Sequence, residues 1–387
     1  MKAGWNLKRL GDLTALVTKG TTPTSIGHSF TKEGINFIKI ESISSTGQFI
    51  EEKFAHVSAD CHTVLKRSQL QSGDILFSIA GALGRTAFVT DDILPANTNQ
   101  ALSIIRLKHD PNLSPEFVRK ALETGFVLEQ VEKVKGGVAQ QNLSLAQVNN
   151  FNIPIPPIHE QRRIVTILDQ AFAGIATAKA NAEQNLKNAR ALFESHLQSV
   201  FTERGEGWAV TTLDKISTNL DSERIPITKS VRDSGEYPYY GASGIVDYVA
   251  DYIFDCDALL ISEDGANLLA RSTPIAFSVS GKYWVNNHAH ILKFGDMATQ
   301  RFVEFYLASI RLDEYITGAA QPKLNQKAMN SIPIPIPTAV DERAEIIGQI
   351  ELLQNETQHL ESIYQRKLAA LDDLKKSLLN QAFSGQL

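Results

Sequence analysis

The feature that most constrains this chain is that its sequence is written twice. Sliding it by 181 positions lays Gly137-Val-Ala-Gln140 on Gly318-Ala-Ala-Gln321, Leu143 on Leu324, and Ile153-Pro-Ile-Pro156 on Ile334-Pro-Ile-Pro337 without a gap. Glu160-Gln-Arg162 then falls on Asp341-Glu-Arg343, and Trp5 opens a polar/apolar alternation as Trp208 does. Between these fixed points Asp74-Ile-Leu-Phe-Ser78 is similar to Asp257-Ala-Leu-Leu-Ile-Ser262, and Asn99-Gln-Ala101 to Asn287-His-Ala289. Self-similarity at a fixed offset means one structural unit used more than once. Two units with a common frame and different interiors are therefore expected, which suits 387 residues by size as well.

Each half begins β-rich. Ile35–Ile40, Ile75–Ile79, Thr86–Thr90 and Leu102–Leu107 have strand length and β-branched content, and Gly, Pro, Asn and Asp separate them. Their counterparts are Ala258–Ser262, Ile275–Val279 and Ala289–Lys293. Helical patterns follow at Ser114–Glu132 and Thr299–Ile316, and a Pro-rich stretch that suits neither helix nor central strand closes each half.

A long helix is predicted after each Pro-rich stretch. From Glu160 to Phe201 apolar residues recur at spacings of four and three, at Ile164, Leu168, Ala171, Ile175, Ala178, Ala182, Ala189 and Leu192. From Asp341 onward the same spacing runs through Ile346, Ile350, Leu353, Leu360, Tyr364, Leu371, Leu374 and Leu378. Spacing sustained over this length is a coiled-coil signature. The two helices should pair with each other, small Ala opposite bulkier Leu, Ile and Tyr; the alternative is that each packs only on its own globular part. The fold class expected is α+β, with two mixed α/β domains, each followed by a long helix, the helices pairing as an antiparallel coiled coil in a pseudo-two-fold repeat. The boundaries expected are 1–157, 158–203, 204–337 and 338–387.

Charge argues weakly about partners. The net charge is −5, with 16 Lys and Arg against 14 Asp and Glu over residues 1–150, but 11 against 15 over 208–335. Binding to phosphates needs clustered Lys and Arg, so any such surface must be a local patch. Cys61 and Cys256 are too far apart for a metal-ligand pair and are read as buried thiols. The N-terminus has no apolar core of a signal peptide and no stretch approaches 18 apolar residues, so neither export nor a membrane is indicated and a cytoplasmic protein is expected.

Motifs for chemistry are missing. The chain has no P-loop, and Gly81-Ala-Leu-Gly84 is too short for a dinucleotide fingerprint. The adenine-methylation signature of Asn or Asp, two prolines and an aromatic does not occur, nor does Gly-x-Ser-x-Gly. His288 and His290 look like a strand alternation, and Glu263-Asp264 like a solvated turn after a strand, since the first half has Ile79-Ala80 at that place. No catalytic, cofactor or metal site is assigned, and recognition remains: a common frame with different interiors lets one chain read two targets.

At this point the residues acquire a likeness. Pro154-Ile-Pro-Pro-Ile-His-Glu-Gln-Arg-Arg163 with its copy Pro335-Ile-Pro-Thr-Ala-Val-Asp-Glu-Arg343, Gly73-Asp-Ile-Leu-Phe-Ser78, Tyr237-Pro-Tyr-Tyr-Gly-Ala-Ser-Gly-Ile-Val-Asp247 and Phe383-Ser-Gly-Gln-Leu387 together resemble the specificity subunits of type I restriction-modification systems, over essentially the whole chain. The resemblance implies two target-recognition domains, each reading half of a bipartite site in double-stranded DNA. It also implies paired helices that fix the gap and dock two methylation subunits carrying S-adenosylmethionine, with motor and nuclease subunits using ATP and Mg. The chain itself would be non-catalytic. A helix of about 40 residues spans on the order of 60 Å, long enough to set half-sites one DNA turn, ~34 Å, apart. A two-domain coiled-coil adaptor that binds proteins is the alternative.

Base-reading candidates follow from residue chemistry, since Arg, Lys, Asn and Gln discriminate base edges in the major groove. In the first half they are Lys19, Thr21, Thr22, Lys39, Ser42, Arg85, Asn97, Asn99, Gln100, Gln140, Gln141 and Asn142. In the second they are Tyr239, Tyr240, Ser243, Asn267, Lys282, Asn286, Asn287, His288, Gln321 and Lys323. Gly137 and Gly318 are read as backbone positions rather than contacts.

Overall fold

The computed structural model describes residues 4–136, 141–318 and 320–387. The chain divides into two compact units, 1–182 with 366–387 and 183–365. Each long helix thus contributes a part to both.

The two units are built on one plan. In the first, a four-stranded antiparallel sheet runs in the order Thr14–Lys19, Leu102–Leu107, Ile75–Ser78, Thr86–Phe88. In the second, the order is Ser217–Asn219, Ala289–Phe294, Ala258–Ser262, Ala276–Val279. One inner strand of each sheet is buried on both faces and accordingly reads as an uninterrupted apolar run, Ile75-Leu-Phe in the first and Ala258-Leu-Leu-Ile in the second. A smaller sheet accompanies each. Ala55–Val57, Ile35–Ile38 and Ala96–Thr98 form it in the first unit. Gly244–Val249, Ser234–Gly241, Lys282–Val285 and Phe254–Asp255 form it in the second. Both smaller sheets contain one parallel pair, and in each unit a two-stranded ribbon pairs the Trp-opened segment with the Pro-Ile-Pro segment, Asn6–Arg9 on Asn152–Ile155 and Trp208–Thr212 on Pro333–Pro337.

The sheet register corrects one alignment made from sequence. Ser78 lies opposite Leu102 and Ser262 opposite Ala289, so Asn99-Gln100-Ala101 corresponds to Asn286-Asn287-His288, one residue earlier than the lettering suggests. The turn chemistry agrees, because Asn99 Oδ1 accepts from the Ala101 N–H at 3.1 Å and Asn286 Oδ1 from the His288 N–H at 2.8 Å.

Helices depart from expectation where caps intervene. The single helix expected over Ser114–Glu132 is two, Pro115–Leu122 and Gly125–Val134. Thr124 takes an extended conformation between them and its hydroxyl accepts from the Val127 N–H, so it restarts the helix rather than continuing it. In the second half Met297–Ser309, capped by Asp296, is one helix, followed by a separate turn at Asp313–Tyr315.

The long helices span Ile158–Thr202 and Val340–Ser384. They pair antiparallel: Lys179 Nζ is 2.8 Å from Asp372, and Arg190 is 2.9 Å from Glu361, so numbers rise on one helix as they fall on the other. Ile175, Ala182 and Ala189 are buried as the spacing expects, and Ile164 and Leu168 are buried in the core of the first unit, but Leu192, Leu360 and Leu374 are exposed. On the second helix Thr357 is buried instead of Leu360, so the covered face does not follow the apolar residues throughout. Leu197, Phe201, Ile347 and Ile350 belong to the core of the second unit, and Leu379, Ala382 and Phe383 to that of the first.

Each unit fixes its long helix by related means. Lys120, almost wholly buried, reaches Asp169 at 2.5 Å, and Arg301, offset from it by the repeat, reaches Glu351 at 2.9 Å. Buried Gln161 accepts from the Ser114 N–H and donates to the Asn112 and Pro156 carbonyls. At that place the second unit has Glu342, which instead accepts from the Trp208 indole N–H. The next residue, Arg343, takes over the proline: it donates to the Pro337 carbonyl at 2.7 Å and to the Thr299 hydroxyl at 2.7 Å. Cys61 is buried as expected, whereas Cys256 is half-buried, with Sγ 3.5 Å from the Tyr283 hydroxyl.

Candidate nucleic-acid interface

In each unit three segments converge on the end of the central strand, and the backbone frame is the same in both. The loop after the strand is tied to the Asn turn by Ile79 N–H to Ala101 O at 2.9 Å in the first unit and by Glu263 N–H to His288 O at 2.9 Å in the second. It is tied to a hairpin by Leu143 N–H to Ile79 O at 2.9 Å and Leu324 N–H to Glu263 O at 2.8 Å. The hairpin closes on itself through Gly136 with Asn142 and Thr317 with Lys323. Gly318 has φ +87°, and a side chain there would also strike the Gln321 carbonyl oxygen at 2.4 Å; this is a backbone position, as read. Gly137 and Gln140 lie outside the described residues.

Onto this frame the two units place different side chains. Where the first has Ile79, Ala80, Ala101, Ser103 and Asn142, the second has Glu263, Asp264, His288, His290 and Lys323. The first face has no carboxylate at these positions. Lys19 is exposed at the end of its strand, the Thr22 hydroxyl donates to Gln100 Oε1, Thr21 is half-buried, and Gln141 and Asn142 are exposed. Gly20 allows this loop to lie against the Asn turn, because an added Cβ would sit 1.8 Å from the Thr98 carbonyl oxygen.

The second face is charged. Glu263, with its side chain only 13% exposed, receives Arg224 at 2.8 Å and Lys323 at 3.1 Å. Asp264 lies 2.9 Å from His288 Nδ1. His290, buried, has Nδ1 2.6 Å from Asp221 and Nε2 2.8 Å from the Leu324 carbonyl oxygen. Burial pushes the Asp221 carboxyl up, but the hydrogen bond and charge of His290, the Ile291 N–H and Arg224 outweigh it and hold the group below the usual carboxylate range. For Glu263 burial is likewise outweighed, by Arg224, Lys323 and His290. Both stay ionised. The expectation that Glu263-Asp264 is solvated or a turn is therefore corrected: these carboxylates are half-buried, Glu263 paired with Arg224 and Lys323 and Asp264 hydrogen-bonded to His288.

The remaining candidates are dispersed. Ser42 is buried and donates to the Lys53 carbonyl, Asn97 is buried and donates to the Leu65 carbonyl and Ser68 hydroxyl, and the Arg85 guanidinium donates to the Ile40 and Ile43 carbonyls. Lys39 lies over the Phe30 ring, and Asn99 holds its own turn. In the second unit Tyr239 is buried with its hydroxyl at Ile227, Tyr240 packs edge-on against Tyr283, and Asn267 braces the loop at Thr273. Asn286 is buried in its turn, and Lys282 lies over the ring of Tyr252. Ser243, Asn287 and Gln321 are exposed, and Ser243 is brought to the face because the Ser262 hydroxyl donates to the neighbouring Ala242 carbonyl. Residue type alone missed Asp221, Arg224, Glu263, Asp264 and His290. The replacement of Ile79-Ala80 by Glu263-Asp264 was the signal that could have found them. No group of His, Cys, Asp or Glu among the described residues is arranged to hold a metal, and none of their helices is long and apolar enough to cross a membrane.

A duplicated frame with a polar loop face on each copy, joined to paired long helices, defines a repeated recognition scaffold. Its lineage is plain: the chain belongs to the family described as the type I restriction modification DNA specificity domain, whose model matches residues 2–188 and 205–368. It is 35% identical over 152 residues to a putative type I restriction enzyme specificity subunit of Haemophilus influenzae, covering 39% of this chain and 37% of that protein. It is 29% identical over 190 residues to the EcoBI specificity subunit of Escherichia coli, covering 48% of this chain and 39% of that one. The matches thus span well under half the length of these curated relatives. In fold it is similar to a chain from a structure of a type I R-M system, described for its complex assembly and conformational transition. The TM-score is 0.81 at 19% identity, covering 100% of this chain and 99% of that one.

Proposed function

We propose that this chain is the sequence-reading, non-catalytic subunit of a type I restriction-modification complex. Residues 1–157 and 204–337 each read one half of a bipartite site in double-stranded DNA. The helices at 158–203 and 338–387 set the gap and dock two methylation subunits that carry S-adenosylmethionine, with motor and nuclease subunits using ATP and Mg in the cytoplasm. The observation that supports this best is the shared hydrogen-bonded frame carrying unlike side chains at matched positions. A catalytic site would need its chemistry kept in both copies, whereas a reader of two different half-sequences needs it changed.

Within this reading, Lys19, Thr21, Thr22, Gln100, Gln141 and Asn142 are the base-facing residues of the first half, and Ser243, Asn287, His288, Gln321 and Lys323 those of the second. The inward-turned candidates hold the loops that present them. Titrating the chain, bound to a methylation subunit, with labelled duplex DNA across a salt series tests the proposal. Binding that weakens steeply with salt, by about 0.9 in log affinity per log salt for each phosphate engaged, is expected. A stable protein complex with no affinity for duplex at low salt would instead support an adaptor.

A further inference from the structure

Among the described residues the charged network of the second unit has no counterpart in the first, and its arrangement says more than that the face is polar. Lys323 stands on a hairpin closed by backbone bonds on both sides, with Thr317 and against Asp264. Its ammonium is half exposed, yet Glu263 holds it at 3.1 Å, and Glu263 is itself immobilised by Arg224, which also donates to the Ala289 carbonyl at 2.7 Å. His288 is aimed in the same way: Asp264 engages Nδ1 and leaves the Nε2 edge of a half-exposed ring to the outside.

A cation meant for a phosphate needs charge and little orientation, and a carboxylate beside it opposes the approach of the phosphate. A donor or acceptor meant for a base edge needs a fixed direction, which an immobilised carboxylate supplies. We infer that Lys323 reads an acceptor atom and the Nε2 of His288, an acceptor once Nδ1–H is given to Asp264, reads a donor group on base edges in the second half-site, and that Glu263 and Asp264 are positioning residues that aim them. The equivalent residues of the first unit, Asn142, Ala101, Ile79 and Ala80, give it no such device. The inference rests on the proposal that the chain reads DNA.

The test uses the full chain in complex with its methylation subunit, on the duplex site mapped for it and on duplexes altered at each base pair of each half. Lys323→Met keeps the length of the side chain and removes the donor. It is expected to lose about tenfold discrimination at one base pair of the second half-site, with the first half-site read as before and the salt slope unchanged. Glu263→Gln should lose discrimination at that same base pair, Glu263→Asp should restore part of it, and Asp264→Asn should act at the position read by His288. An even loss of affinity over all sequences with a salt slope reduced by about one would make Lys323 a phosphate contact and overturn the inference. So would a Glu263→Gln chain with unaltered discrimination, or one that weakens both half-sites alike. Failure of the unaltered complex to bind any duplex would instead defeat the DNA-reading proposal itself.

Discussion

Adding one heptad to both long helices, between the Lys179–Asp372 and Arg190–Glu361 pairs, is expected to lengthen the gap in the recognised site while leaving both half-sequences as they are. Seven residues keep the 3,4 spacing in phase, so the seam stays closed and both ion pairs re-form. The helices lengthen by roughly 10 Å at 1.5 Å per residue, equivalent to about three base pairs at 3.4 Å each. Inserting the residues in one helix alone would force that helix to loop out or lose register with its partner, and a large loss of binding is expected there. Mapping methylated sites for each variant reads the result. Altered half-sequences at an unchanged gap would show that the helices do not act as a ruler.

The second large effect concerns stability. Phe302 is fully buried where the helix Met297–Ser309 meets the end of the central helix. Its ring meets Phe201 at 5.2 Å and Trp208 at 5.6 Å, both edge-on, and Phe201 also meets Tyr306 at 5.3 Å. This aromatic knot joins the sheet-bearing part of the second unit to its helices, and a side chain of this size leaves a cavity that cannot close. Phe302→Ala should cost about 3–5 kcal/mol. Because such a loss is comparable to the stability of a whole domain, ~5–15 kcal/mol, the second unit should melt at markedly lower temperature while the first retains its own transition. Differential scanning calorimetry would show two separated transitions. Equal shifts in both, or none, would mean that the knot is not what holds the second unit together.

Much of this architecture was legible in the sequence, and the misses have physical causes. The repeat, the paired long helices and strands such as Leu102–Leu107 and Ala258–Ser262 were readable because periodicity and apolar runs report burial directly. Thr124 was not read as a cap, because a threonine inside an apolar pattern looks like a polar face until its hydroxyl is seen on the Val127 N–H. Leu192, Leu360 and Leu374 fit the seam by spacing, yet several 3,4 tracks fit one helix, and the polar Thr357 is buried where the apolar Leu360 is exposed. At the candidate interface, Asn97 and Tyr239 have the right chemistry for bases and use it internally. Conversely Glu263 looked solvated because its cations, Arg224 and Lys323, are distant in sequence.

The central claim is that this chain determines which DNA sequence is modified, one half per unit. It is tested most directly by expressing a methylation subunit with and without the chain and mapping modified adenines across the host DNA. The account predicts a split motif with a fixed gap that vanishes when the chain is omitted. The same modification without it, a continuous motif, or a stable complex that modifies nothing would contradict the account.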